Sequence, residues 1–359
     1  MSRLVAVGTA LPGRAHPQQD IIDTIGPLLS ADPARRAALA RLQHSSGVRT
    51  RHLALPLEEY GALTSFGRAN DLFISEGTTL AEQACRTALS RAGIEAVDVD
   101  FLLFTSVTGI SAPSIDAALV GRLGLRSDVR RLPSFGLGCV AGAAGIARVH
   151  DYLVGHPEHV GLLVSVELCS LTFQRGDDST ANLVSSALFG DGAAAVVLVG
   201  RSHPAGRVGR RGPEVLGSRS CLYPGTADQL GWHIRDTGFA IMLSAGLPDV
   251  IAEHLAGDVA TLLEEHTLAR EDVTTWVVHA GGPRIFDAVA GALDLDDRDL
   301  QVSRDCFAAV GNLSSSSVLH VLADTLERNG PAPGSYGVLL AFGPGVCAEL
   351  VLLRWEAEP

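Results

Sequence analysis

Asp98-Val99-Asp100-Phe101-Leu102-Leu103-Phe104-Thr105 is an acidic lead-in followed by an apolar run. It has a counterpart far along the chain, Glu271-Asp272-Val273-Thr274-Thr275-Trp276-Val277-Val278-His279. Each ends in a short run without polar alternation, the pattern of a strand buried on both faces. A second pair repeats the relationship. Leu188-Phe189-Gly190-Asp191-Gly192-Ala193 matches Ala341-Phe342-Gly343-Pro344-Gly345-Val346, and each runs on into a Val/Leu-containing segment. Between these anchors each half carries one stretch of small residues, Gly136 to Gly145 and Gly311 to Ser317. The pattern reads as an internal duplication.

Working outward, further apolar runs lie at Gly161–Ser165, Ala193–Val199, Trp276–Val278 and Val338–Leu340. Helical stretches separate them, for example Thr79–Ala92 and Val250–His266. This alternation predicts an α/β fold with parallel or mixed sheets. The joint between the halves is placed at Arg201–Pro213, rich in Gly, Pro and Arg. That gives a first half over residues 1–205 and a second over 206–359.

The chain has 359 residues, 47% hydrophobic and 19% charged, which suits a globular protein with a large core. Its formal net charge of -12 argues against nucleic acid as a partner. There is no lysine: all 28 basic residues are arginine. That removes lysine Schiff bases, pyridoxal-phosphate lysines, P-loop lysines and Ser-Lys dyads. The six cysteines form no CxxC pair, so neither zinc nor a disulfide framework is expected, and a reduced, cytoplasmic setting is. The apolar run after Met1-Ser2-Arg3 is soon interrupted by Gly8 and Pro12. Neither a signal peptide nor a membrane span is expected.

The most informative chemistry lies in Phe135-Gly136-Leu137-Gly138-Cys139-Val140-Ala141-Gly142. Glycines before Cys139 permit a tight turn, and small residues after it let a helix pack closely. At a helix N-terminus, backbone N–H groups and the positive dipole end stabilise a thiolate. A buried structural cysteine fits the local sequence equally well. The G-x-G-x-x-x-G spacing departs from a dinucleotide fingerprint, and no acidic residue is suitably placed downstream. His279 closes an apolar strand before Ala280-Gly281-Gly282-Pro283, where it can carry a proton or donate a hydrogen bond. A structural histidine is the commoner reading of such a position. Asn312, in Gly311-Asn312-Leu313-Ser314-Ser315, reads locally as a helix N-cap. It also falls in the stretch that is the counterpart of the one holding Cys139.

Together, Cys139, His279, Asn312 and Phe342-Gly343-Pro344-Gly345 resemble the ordered motifs of type III polyketide synthases, the chalcone-synthase-like family. The resemblance covers almost the whole chain. It implies a thiolase-like duplicated αβαβα layered fold and a homodimer. It also implies that Cys139 carries the acyl group of an acyl-CoA starter. His279 and Asn312 would bind the thioester oxygen of malonyl-CoA and stabilise the enolate formed on decarboxylation. His279 would also hold Cys139 as a thiolate by ion pairing. CoA thioesters are the substrates, and no metal or redox cofactor is implied.

The same resemblance assigns a substrate pocket. Phe189 matches the family's gatekeeper, and Glu167, Cys169 and Thr172 match the lining of its cyclisation pocket. Gly343, Pro344 and Gly345 form the closing signature. Cys169 stands where plant members usually carry threonine, Ile241 where they carry a second gatekeeping phenylalanine, and Trp232 where they keep glycine. Ala112 replaces a methionine that reaches across the dimer interface, and Ala341 replaces a glycine. These departures point away from plant-type starters and toward an aliphatic acyl-CoA, giving an alkylresorcinol or alkylpyrone. Arg49 and Arg51 lie in the region where the family binds CoA phosphates. Arg207, Arg210 and Arg211 read as a solvated loop. Three rivals stay open. An initiating ketoacyl-carrier-protein synthase shares Cys, His and Asn, but usually has Gln-Ala-Asn after the histidine. A catalytically inactive partner subunit would not need the intact trio. A cysteine hydrolase would not need a duplicated half.

Overall fold

The computed structural model describes residues 1–206, 212–328 and 330–356. The arginines at 207, 210 and 211 therefore lie outside the described residues. The first half contributes β1 (Ser2–Ala10), β2 (Ala15–Pro17), α1 (Gln18–Leu29), α2 (Pro33–Ser45), β3 (Thr50–His52), α3 (Phe66–Ala92) and β4 (Phe101–Thr105). It continues with α4 (Ile115–Leu123), β5 (Arg130–Ser134), α5 (Ala141–Gly155), β6 (Val160–Leu168), α6 (Thr180–Leu188) and β7 (Asp191–Gly200). The second half contributes β8 (Glu214–Leu222), β9 (Leu230–Arg235), β10 (Gly238–Leu243), α7 (Leu247–Glu264) and β11 (Val273–Val278). It ends with α8 (Pro283–Leu293), α9 (Gln301–Val310), α10 (Ser317–Glu327), β12 (Tyr336–Gly343) and β13 (Cys347–Arg354).

Nine strands run in the order β11-β12-β13-β8-β1-β7-β6-β4-β5. The halves meet at β1 and β8, which share only the pairs Ser2↔Val215 and Arg3↔Glu214. On either side of that seam the topology repeats. β4 pairs parallel with β6, which pairs antiparallel with β7. Likewise β11 pairs parallel with β12, which pairs antiparallel with β13. The acidic lead-ins also correspond: each is a 3-10 turn, Ala96–Asp98 before β4 and Arg270–Asp272 before β11.

Helices α5 and α10 contact strands of both halves, while α3 covers the far side of the first sheet and α7 the far side of the second. The result is the α-β-α-β-α layering that the duplication implied. It explains why β6 and β7 are buried along their whole length. On β7, Ala193, Ala195, Val197 and Val199 join the core under α3, while Ala194, Val196 and Leu198 join the core around α5. Strands covered on both faces are apolar along most of their length, and the polar residues they do carry, Ser165 and Glu167 on β6 and Asp191 on β7, lie at one end and are hydrogen-bonded there.

The sequence reading missed three features. Helix α3 begins at Phe66, not near Thr79, with Ser65 as its N-cap. In its first three turns only Ala69, Phe73 and Gly77 are buried, so the apolar period is faint there. Strand β1, read only as an interrupted apolar run, sits at the centre of the sheet. Strand β5, Arg-Arg-Leu-Pro-Ser, is an exposed edge with no apolar signal of its own. No helix among the described residues is long and apolar enough to cross a membrane.

Candidate active site

From β5 the chain passes Gly136 and Gly138, both at positive φ (96° and 58°), and makes one 3-10 turn over Gly138–Val140 before α5. A Cβ on Gly138 would lie 2.5 Å from Pro344 Cδ, so the turn can seat on Pro344 only with glycine there. One turn further on, a Cβ on Gly142 would lie 2.3 Å from the Ser315 carbonyl oxygen. The small residues after Cys139 thus let α5 press directly on the backbone of the opposite half. That half presents an equivalent device, a 3-10 turn over Ser314–Ser316 that leads into α10. The two turns meet, with Cys139 Sγ 3.5 Å from Ser314 Oγ. Asn312 lies two residues before its turn, so its match to Cys139 holds for the stretch and not for the position.

His279 follows β11 directly. Its N–H donates to the Leu340 carbonyl at 2.9 Å and extends the β11–β12 ladder by one residue. Gly281 then donates back to the His279 carbonyl at 2.8 Å, which turns the chain sharply away. The imidazole is buried, and its Nδ1 has no hydrogen-bond partner. Asn312 is held by its own loop: Oδ1 accepts from Ser314 N–H at 2.8 Å and from Ser317 Oγ at 3.2 Å. A backbone N–H can only donate, so the amide orientation is decided and Nδ2 is a donor of two N–H groups, one of them engaged by the Gly281 carbonyl. Nδ2 sits 3.4 Å from the Gly281 carbonyl oxygen, next to His279. Cys139, His279 and Asn312, remote in sequence, are thereby linked through Ser314 and Gly281.

Burial dominates the electrostatics. It pushes the Cys139 thiol up to about 12, against a smaller lowering by the Ser314 hydroxyl. It pushes His279 down to about 4. Desolvation raises the one and lowers the other, which favours the neutral thiol and the neutral imidazole. This differs from the standing ion pair that the resemblance implied. Beneath Cys139, fully buried Glu167 accepts at Oε2 from Ser106 Oγ, Val107 N–H and Thr108 Oγ1 at 3.2, 3.1 and 2.8 Å. Its Oε1 accepts from Ser314 Oγ at 3.3 Å and from Ser315 Oγ. Burial raises the Glu167 pKa even so.

Two concavities flank this centre. An inner cavity is lined by Cys169, Thr172, Phe189 and Trp232, with Ile21, Tyr60 and Arg51 from the N-terminal segments. An outer, mainly apolar groove is lined by Leu188, Leu243, Pro248 and Ile285, and by the Gly281-Gly282-Pro283 loop after His279. Leu188 and Phe189, consecutive in the chain, thus line different concavities, and the segment that carries them stands between the two. Ile241 lies directly opposite Trp232 in the β9–β10 hairpin, on the same face.

Other expected residues fall elsewhere. Gly343 and Pro344 brace the Cys139 turn: a Cβ on Gly343 would lie 2.9 Å from the Leu137 carbonyl oxygen. Gly345, at φ 68°, closes the β12–β13 turn. Ala112 is exposed, in a loop beside Ile110. The expectation that Arg51 binds a CoA phosphate is corrected. Arg51 is 2% exposed, far too buried to meet a solvated phosphate. Arg49 is exposed, but its N–H is tied to Ala308 of α9 and its charge acts on Asp305. The sequence reading also missed Ser314 and Ser317, which orient the site. Their only trace was the run of four serines.

Residues 1–203 match the family model for chalcone and stilbene synthases, N-terminal domain. Residues 214–356 match its C-terminal domain. Over 352 residues the chain is 53% identical to a 1,3,6,8-tetrahydroxynaphthalene synthase of Streptomyces peucetius subsp. caesius, covering 98% of this chain and 93% of that protein. It is 34% identical to the synthase of the same description from Streptomyces griseus, covering 100% and 94%. The crystal structure of 1,3,6,8-tetrahydroxynaphthalene synthase from Streptomyces coelicolor A3(2), a bacterial type III polyketide synthase, superposes with a TM-score of 0.91 at 32% identity, covering 99% of each chain.

Proposed function

Because the chain belongs to the chalcone and stilbene synthase family, we propose that Cys139, His279 and Asn312 carry out its type III polyketide synthase reaction. The observation that carries this reading is the hydrogen-bonded chain that joins the three: Cys139 to Ser314, Ser314 to Asn312 Oδ1, and Asn312 Nδ2 to the Gly281 carbonyl two residues after His279. Cys139 gives up its proton as the starter thioester arrives, and His279 is the base within the site. The sulfur attacks the thioester carbonyl, and the departing CoA thiolate takes the proton. Malonyl-CoA then loses CO2, and the electron pair of the broken bond becomes a thioester enolate. Its oxygen is held by the N–H of neutral His279 and by Asn312 Nδ2, two donors placed where negative charge develops. The enolate carbon attacks the acyl-Cys139 carbonyl, and the Cys139 thiolate leaves. The CoA-bound product is two carbons longer and can reload.

The outer groove suits the pantetheine arm, since it is apolar and reaches the loop after His279. Arg284 lies on its rim, and exposed Arg41 lies one helical turn before Ser45, another rim residue. These two replace Arg51 as cations for the CoA phosphates. The protein acts as a homodimer through the edge strand β5. Leu132 and Phe135, 46% and 49% exposed, give that edge an uncovered apolar surface beside Leu137 and Ile110.

The product is 1,3,6,8-tetrahydroxynaphthalene, on the strength of the 53% identity over 98% of the chain. Its ten ring carbons carry no side chain, so they are five two-carbon units with no alkyl starter. Trp232, where plant members keep glycine, takes up cavity space that a long alkyl starter would need. The test is purified protein with malonyl-CoA alone, and then with a panel of acyl-CoA starters, read by product mass spectrometry. Tetrahydroxynaphthalene from malonyl-CoA alone supports the reading. Alkylresorcinols or alkylpyrones formed only with alkyl starters would restore the aliphatic reading. No turnover of any combination by folded protein would sink the synthase assignment.

A further inference from the structure

We propose that Arg51 forms a subsite in the inner cavity that holds an oxyanion or carbonyl oxygen of the growing poly-β-keto chain through Nη2. The subsite deepens the polyketide reading and rests on it. A guanidinium has five N–H donors. Arg51 Nε donates to Gln18 Oε1 at 2.9 Å, and Nη1 donates to the Ser186 and Phe189 carbonyls at 2.8 and 2.7 Å. Nη2 is buried and has no partner. Among the described residues no carboxylate lies within ion-pairing distance of it. The nearby acid, Asp191, instead accepts from Ala54 N–H at 2.6 Å, from Ser170 N–H at 2.7 Å and from Ser170 Oγ.

A buried cation with no carboxylate in contact is costly; burial lowers the Arg51 pKa to about 10, and the charge of Asp191 beyond contact distance offsets only part of that. The charge is nonetheless retained at neutral pH, on a residue that lines the cavity with Cys169, Thr172, Phe189 and Trp232. A saturated acyl chain would gain nothing from it. A poly-β-keto chain carries an oxygen on alternate carbons and enolises readily, so it offers the acceptor that Nη2 lacks. The same guanidinium holds the Phe189 carbonyl, so an oxygen bound at Nη2 also steadies the gate.

Two experiments test this. In the first, wild type, Arg51→Gln and Arg51→Lys receive malonyl-CoA as both starter and extender. The readout is the ratio of the longest product to those released after one or two extensions, beside the fraction of Cys139 acylated. The ratio is expected to fall at least tenfold in Arg51→Gln and to recover partly in Arg51→Lys. A ratio that stays constant while all products fall together would reduce Arg51 to a structural clamp and overturn the proposal. The second serves if the variants do not fold. It is a crystal structure of wild-type protein soaked with 2,4-pentanedione. An oxygen within about 3.2 Å of Nη2 is expected. A diketone bound with both oxygens elsewhere, or excluded at saturation, overturns the subsite. The soak needs no turnover, so it separates failure of the subsite from failure of the synthase reading.

Discussion

Phe189 and Asn312 form a single parallel β-bridge between the two halves. Asn312 N–H donates to the Leu188 carbonyl at 2.8 Å, and Gly190 N–H donates to the Asn312 carbonyl at 2.9 Å. The wall between groove and cavity and the Asn312 amide are therefore carried on one piece of backbone.

The roles of the trio separate by assay. Cys139→Ala should lose acyl loading completely, seen as the absence of an acyl adduct by mass spectrometry. An adduct on Cys169 in its place would overturn the assignment. Asn312→Ala should still load, with malonyl-CoA decarboxylation slowed on the order of 10²–10³-fold, the usual effect of losing one oxyanion donor. In Cys139→Ala, decarboxylation should show no inflection near pH 6.5. His279 stays neutral until pH approaches about 4, and the neutral ring is the donor.

Phe189→Ala should remove the wall between groove and cavity and leave the bridge to Asn312, which is made by backbone alone. Loading of bulky acyl-CoA starters should rise relative to small ones, and the product distribution should broaden. Starter competition read by product mass checks this. An unchanged distribution would make Phe189 an ordinary packing residue.

Gly142→Ala places a methyl against the Ser315 carbonyl oxygen, at 2.3 Å before relaxation. The nearest neighbour is backbone of the middle layer and the next is the buried Val318 side chain at 2.8 Å, so little can yield. A loss of stability of roughly 1–3 kcal/mol is expected from overpacking, measured by chemical denaturation. Decarboxylation should fall as well, because Ser315 adjoins the loop that aims Asn312.

Leu132→Asp should convert a dimer to a monomer in size-exclusion chromatography with light scattering. It places a charge on the exposed edge strand, where a second sheet would dock. A wild-type protein that is monomeric at micromolar concentration would refute the dimer directly.

His320 offers a pH test away from the chemistry. It is buried in α10 with Nε2 3.0 Å from the Ala193 carbonyl oxygen, and burial lowers its pKa to about 4. Above pH 6.5 both folded and unfolded histidines are neutral. Between about 6.5 and 4 only the unfolded chain takes up the proton, so stability falls as pH falls through that window and levels off below it. The contribution is roughly 3 kcal/mol at most, from the size of the shift. His320→Gln keeps a donor for Ala193 and cannot titrate. Subtracting its stability curve from that of wild type isolates the effect from Glu167 and Asp191, whose raised pKa values act in the opposite sense.

Sequence alone determined an α/β chain of two similar halves, and its ordered motifs pointed to the layered fold and the trio through their family resemblance. Buried strands and repeated turns write themselves as apolar runs and glycines, as at Phe101–Thr105 with Val273–Val278, and around Cys139. These are local patterns of covalent chain and solvent. Tertiary structure decided what depends on distance and burial. The same Gly-rich turn that advertised Cys139 also half-buries it, and desolvation there pushes the thiol up to about 12. Asn312 looked like a cap until Ser314 and Ser317 took its oxygen and left its nitrogen to the site. Arg51, two residues from exposed Arg49, looked like a phosphate ligand. Only packing against Ser186 and Phe189 turned it inward, since alternation along β3 puts Arg51 on the face opposite Thr50 and His52 but does not say which face is covered.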